Sequence, residues 1–136
     1  MFGQIDHIGV AVEDIDGALA LYRDRLGMRE EHREVLEDQG VEAALLGVGD
    51  AYVELIAPID PEGGVARFLA KRGPGLHHVA YRTPDIAGDI QKLVAAGLRT
   101  IGDEAHPGIR GTLAIFVHPK STGGVLTELV QPVEDR

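Results

Sequence analysis

The 136-residue chain contains no cysteine, so neither a disulfide framework nor thiolate chemistry is open to it. Basic residues are scarce: 13 Lys and Arg stand against 22 Asp and Glu, a formal net charge of −9. Nucleic acids and anionic membrane surfaces select for Lys/Arg patches, so neither is expected as a partner. An anionic substrate would need local help, from a metal ion or a few placed cations. No apolar run approaches the ~20 residues that span a bilayer. The opening Met-Phe-Gly-Gln-Ile-Asp has neither the basic nor the apolar region of a secretory signal. A soluble, cytoplasmic protein is expected. Hydrophobic residues make up 44% of the chain, enough for the core of one compact domain.

The chain repeats itself. Asp6-His7-Ile8-Gly9-Val10-Ala11-Val12-Glu13-Asp14-Ile15 matches His77-His78-Val79-Ala80-Tyr81-Arg82-Thr83-Pro84-Asp85-Ile86, with His7 on His78 at an offset of 71 residues (from 14 to 85). Val53-Glu54-Leu55-Ile56-Ala57-Pro58 matches Thr127-Glu128-Leu129-Val130-Gln131-Pro132 at an offset of 74 (from 54 to 128). Both matches fall in the same order, which coincidence explains poorly. Ile5 to Val12 alternates and is rich in β-branched residues, so it is predicted as a strand. Asp14 or Asp16 is a plausible N-cap for a helix carrying Ile15, Ala18, Leu19, Tyr22 and Leu26 at helical spacing and ended by Gly27. Further strands are predicted near 29–36, 41–46 and 51–57. The second half is predicted to run strand 76–82, helix 86–96, then strands near 98–103, 112–117 and 125–131. The expected fold class is α+β, with two tandem βαβββ modules forming a curved mixed sheet around a cleft. The expected organisation is one domain over 1–136: a first module at 1–60, a linker with a short helix at 61–75, and a second module at 76–136.

Strand parity places His7 on the face opposite Ile8, Val10 and Val12, and His78 on the face opposite Val79 and Tyr81. The next same-face residues, Gly9 and Ala80, are small and leave room beside each imidazole. Glu54 and Glu128 each interrupt an apolar run, where a carboxylate is costly unless paired, solvated or bound to metal. Taken singly, a strand histidine is more often hydrogen-bonded or exposed, and a strand glutamate more often lies on a wet face. Two of each at repeat-matched positions could converge on one divalent cation. Such N/O donors suit Co, Ni, Mn, Fe or Zn more than Ca or Mg. His77 reads as structural, and His32 and His106 as exposed. His118 either lines the cleft or serves its turn. Lys120-Ser121-Thr122-Gly123-Gly124 is first of all a loop, whose Lys, hydroxyls and amides could also meet an anionic ligand.

With these residues in view, the chain resembles the methylmalonyl-CoA epimerases of the vicinal-oxygen-chelate (glyoxalase-like) superfamily almost end to end. The resemblance lies in Ile5-Asp6-His7-Ile8-Gly9-Val10-Ala11-Val12, Gln39-Gly40-Val41, Glu54-Leu55-Ile56-Ala57-Pro58, Phe68-Leu69-Ala70-Lys71-Arg72-Gly73 and Gly75-Leu76-His77-His78-Val79-Ala80. Its most specific stretch is His118-Pro119-Lys120-Ser121-Thr122-Gly123-Gly124-Val125-Leu126-Thr127-Glu128. The resemblance implies a divalent metal, often cobalt, held by His7, Glu54, His78 and Glu128, with Ni2+, Mn2+, Zn2+ or Fe2+ as alternatives. Some members have Gln where Glu54 stands. It also implies a homodimer and an acyl-CoA substrate whose (2R) and (2S) forms are interconverted by proton transfer at C2. Lys120 and Ser121 are candidate substrate-binding residues.

One departure stands out. Several epimerases carry a separate catalytic Glu four residues after the Gln of Gln-Gly-Val. Here that position is Ala43, and Glu42 stands one place earlier, a shift that reverses the face on a strand. Glu42 is therefore expected at the surface unless a bulge rescues it, and Glu54 and Glu128 are expected to provide the two catalytic bases. The alternatives are a glyoxalase I-type lyase using the same ligands and a non-catalytic binder of the same fold. Neither the native metal nor the acyl group follows from the residues, since one methylene is worth only ~1–3 kcal/mol of discrimination.

Overall fold

The computed structural model describes residues 2–133. They fall into two compact units. Residues 7–77 form the first, and the stretch up to Asp6 together with the residues from His78 onward forms the second. No helix among the described residues is long and apolar enough to cross a membrane.

The first unit carries β1 (Gln4–Ala11, shared with the second at its start), α1 (Ile15–Leu19), β2 (Arg29–Leu36), β3 (Val41–Val48), β4 (Ala51–Pro58) and α2 (Gly64–Arg72). Its strand order is β2-β3-β4-β1. β1 runs parallel to β4, while β2–β3 and β3–β4 are antiparallel. Asp14 caps α1, its Oδ2 accepting from Gly17 N at 2.8 Å. Val10, Val12, Ile15, Leu19, Ala44, Leu46, Val53, Leu55 and Ala57 form the core under α1, with Ile8 and Tyr22 packed against it. The even residues of β1 thus lie under the helix, as alternation requires.

The helix itself departs from the expected periodicity. After Leu19 it widens into a π-helical segment, Ala20–Arg25, in which Leu26 N donates to Leu21 O at 2.9 Å. An i→i+5 turn takes more residues per revolution than an α-turn and shifts the phase of everything beyond it. Leu26 is therefore not in the apolar stripe but 58% exposed.

The second unit carries β5 (Gly75–Arg82, begun in the first), α3 (Ile86–Ala95), β6 (Thr100–Pro107), β7 (Leu113–Val117) and β8 (Thr127–Gln131). Its order is β5-β8-β7-β6, with β5 parallel to β8 and the other pairs antiparallel. Asp85 caps α3 from the position that matches Asp14, accepting from Gly88 N at 3.1 Å. Ile86, Ile115 and Leu129 pack under α3 with Ile90 and Leu93. Buried Asp89 accepts from the Thr83 hydroxyl, which in turn accepts from Asp85 N at 3.2 Å. β6 extends beyond the predicted 98–103 because its pairing with β7 breaks between Ile101 and His106 and then resumes. The start of β1 is held in this unit. Gly3 N donates to Arg82 O at 2.9 Å, and Arg82 Nε donates to the fully buried Asp6 at 3.0 Å.

Leu55→Ala should lower the unfolding free energy by about 2–5 kcal/mol. Asp85→Ala should lower it by about 1 kcal/mol through the lost cap. Urea midpoints at unchanged m-value would check both.

Candidate metal centre

Strand register builds a His–Glu pair in each unit. In the first, Gly9 faces Glu54 across the parallel β1–β4 ladder. His7, two residues earlier, lies on that same face. His7 Nε2 and Glu54 Oε1 are 3.7 Å apart. In the second unit Ala80 faces Glu128 across β5–β8, and His78 lies two residues before Ala80. His78 Nε2 and Glu128 Oε1 are 3.4 Å apart. In both units the carboxylate lies opposite the residue two places after the histidine. The duplication read from the sequence is therefore also a duplication of register. All four side chains are buried: His7 is 2%, Glu54 7%, His78 4% and Glu128 6% exposed.

The neighbours on this face are matched too. Leu45 flanks Glu54 from β3, and Phe116 flanks Glu128 from β7. Phe116 meets the His78 ring edge-on, with centroids 5.3 Å apart. Ala43 faces Ile56, and Ala114 faces Val130. The second carboxylate expected in some relatives thus has no counterpart at position 43. Glu42 lies on the opposite face, across from Ala57 of the core. There its Oε2 accepts from Arg33 Nε at 2.8 Å, and Arg33 Nη1 reaches Asp16 at 2.8 Å. The Glu42 and Asp16 carboxylates raise the pKa of the guanidinium above its ordinary value. No bulge turns Glu42 over, because the β3–β4 register is regular from Val41 to Val48.

The donor chemistry fits a divalent cation. Two donors each about 2.0–2.2 Å from one ion lie no more than about 4.4 Å apart, and the His–Glu separation in each unit satisfies this limit. Both separations are too long for a good N–H···O bond, which needs about 2.7–3.2 Å. Neutral imidazole nitrogen with carboxylate oxygen suits first-row transition ions.

The remaining sequence candidates lie outside these two couples. Lys120 and Ser121 lie in a single 3₁₀ turn, Pro119–Ser121. The Lys120 side chain is exposed, and Ser121 Oγ accepts from Arg99 N at 2.9 Å. His118 serves its turn, its Nδ1 accepting from Lys120 N at 3.1 Å. His77 packs edge-on against Phe68, with centroids 4.9 Å apart. His32 and His106 are half-buried rather than exposed. His32 forms a 2.8 Å contact with Glu34 that the sequence reading missed. Its only sequence signal was the i, i+2 spacing, which places both residues on one face of a strand otherwise full of charge.

A family model described as glyoxalase/bleomycin resistance protein/dioxygenase superfamily matches residues 6–116. The chain belongs to this superfamily. Among curated relatives, the mitochondrial methylmalonyl-CoA epimerase of Mus musculus is 35% identical, over 95% of this chain and 73% of that protein. The crystal structure of methylmalonyl-CoA epimerase from Mycobacterium tuberculosis superposes with a TM-score of 0.94 at 40% identity, covering 98% of this chain and 91% of that one. A variant of the Streptomyces coelicolor methylmalonyl-CoA epimerase in complex with 2-nitronate-propionyl-CoA superposes equally well, at 0.94 and 38% identity, over 98% and 97%. The paired βαβββ modules of this chain are thus the superfamily's fold.

Within this glyoxalase-like chain, Glu42→Gln should change stability by less than about 1 kcal/mol, as an exposed ion pair does, and leave divalent-ion affinity unchanged. Glu54→Ala should weaken that affinity by roughly tenfold or more. Calorimetric titration of dialysed protein with Co2+ separates the two.

Proposed function

We propose that this protein is a metal-dependent epimerase that interconverts the (2R) and (2S) forms of methylmalonyl-CoA. The observation that carries the reading is the pair of buried, register-matched His–Glu couples. They stand in a chain that is similar to methylmalonyl-CoA epimerases over nearly its whole length. The ligand of the Streptomyces relative supports the same chemistry, since a nitronate is a planar anion shaped like an enolate.

His7, Glu54, His78 and Glu128 would hold one divalent cation, with Co2+ the first choice and Ni2+, Mn2+, Zn2+ or Fe2+ as alternatives. When bound, it supplies positive charge where the thioester oxygen becomes negative. The chain's own groups do the rest. The C2 proton lies between a thioester and a carboxylate, so its removal needs a base on one face and its return an acid on the other. Glu54 and Glu128 are repeat-related carboxylates and take these two roles. Burial keeps bulk water away from both. Leu45 and Phe116 give the flanking surface an apolar character that raises the cost of any unshielded charge. Lys120 and Ser121, on the exposed turn, meet the anionic part of the acyl-CoA. Arrangement as a homodimer belongs to the same reading.

Metal-loaded protein, incubated with (2R,2S)-methylmalonyl-CoA in heavy water, should place deuterium at C2. EDTA treatment or His78→Ala should abolish this. Glu54→Gln and Glu128→Gln should each slow exchange by about 10²–10⁴-fold for one enantiomer preferentially. Full activity of Glu54→Gln with metal bound would remove Glu54 as a base. No exchange in the loaded wild type would remove the epimerase reading and turn attention to glutathione hemithioacetals.

A further inference from the structure

The two units repeat one cross-strand row, and the copies differ at its outer end. In the first unit the row runs Gly9, Glu54, Leu45 and His32. In the second it runs Ala80, Glu128, Phe116 and Ile101. Leu45 is fully buried, and the first row ends on a polar edge where His32 contacts Glu34. The second row stays apolar to its end. Phe116 is half-buried although β6 and β8 cover its backbone on both sides, so its exposure belongs to the ring. Ile101, the last residue of the row, is 49% exposed. Apolar surface left open beside a buried polar couple points to contact with a ligand rather than to core packing.

The surroundings of Glu128 say which part of a ligand lies there. Ala80 closes one side of its row and has no exposed surface. Val130, the next same-face residue on β8, is buried with Ala80 and Ala114. Phe116 is the neighbour across β7 that offers Glu128 open apolar surface, and its edge-on contact with His78 fixes where the ring stands. An acid or base must come within hydrogen-bond reach of the carbon it serves. The other substituents of that carbon therefore fall among the neighbours of the carboxylate. Against a phenyl ring a charged substituent loses its hydration without gaining a partner, whereas an alkyl group gains burial.

We propose that Phe116 is the specificity-determining residue for the alkyl group on the reacting carbon, a role that rests on the epimerase reading. The ring, held against His78, forms the wall that a methyl group meets and that a longer chain runs into. Shortening the side chain opens the row toward Ile101, whose own surface is apolar. Phe116 takes no part in proton transfer.

The test gives metal-loaded full-length protein equal amounts of racemic methylmalonyl-CoA and ethylmalonyl-CoA together in heavy water. Initial deuterium entry at C2 of each is followed by mass spectrometry. Competition in one vessel yields the ratio of the two kcat/KM values, whatever fraction of the protein is active. The wild type should favour the methyl compound by about tenfold or more, the worth of one methylene against a fitted wall. Phe116→Leu should lower that preference several-fold while Co2+ affinity, read by calorimetric titration, stays unchanged. Phe116→Met fills more of the space and so guards the fold; it should move the preference the same way by less. An unchanged ratio in either folded variant with normal Co2+ affinity overturns the proposal, as does a wild type that does not discriminate. An equal fall for both substrates with weakened Co2+ binding makes the ring only a support for His78 and also overturns it. Absence of exchange with either substrate in the loaded wild type overturns the epimerase reading itself, so the two failures are distinct.

Discussion

A carboxylate withdrawn from water into an apolar strand must find compensating positive charge or protons, and this chain buries two, Glu54 and Glu128. Each lies beside a buried imidazole, and each stands in a strand that also builds the core: Leu55 and Leu129, the next residues along, are fully buried under the helices. One strand therefore serves two faces. Odd and even positions divide the work, and the parallel ladders β1–β4 and β5–β8 fix which histidine each carboxylate meets. A slip of one residue in either ladder would put the glutamate under the helix and a core leucine on the polar face. Core packing and site geometry are thus the same constraint.

The repeat is strict where this constraint acts and loose elsewhere. N-caps, strand register and the flanking small residues match between units. The first helix has its π-helical segment, β2 has a register shift between Glu30 and His32, and β6 has a longer one between Ile101 and His106. These irregularities lie outside the parallel ladders, so they leave the His–Glu couples intact. Charge follows the same division. In a chain of net charge −9, Arg23, Arg33 and Arg82 are each bonded to carboxylates. Glu54 and Glu128 lie instead beside imidazoles, at 3.7 and 3.4 Å.

Much of this was legible in the sequence. Duplication, strand and helix order, the two histidines and the two glutamates follow from period-two alternation and from motifs that recur at nearly constant offset. The placement of Glu42 on the face opposite Glu54 is what strand parity predicts in the absence of a bulge. The tie between Asp6 and Arg82 and the His32–Glu34 bond did not follow from the sequence, and His118 was left between cleft and turn. Each depends on where a side chain ends rather than on which face it starts from.

By itself the sequence determined which residues share a face, because backbone alternation is local and needs no partner strand. Only the tertiary structure decided which strand each face meets and in what register, because pairing is a long-range choice made by burial. It was the structure that set Gly9 opposite Glu54 and Ala80 opposite Glu128, turned Leu26 outward through a wide helical turn, and stood His32 in line with Glu54 across Leu45.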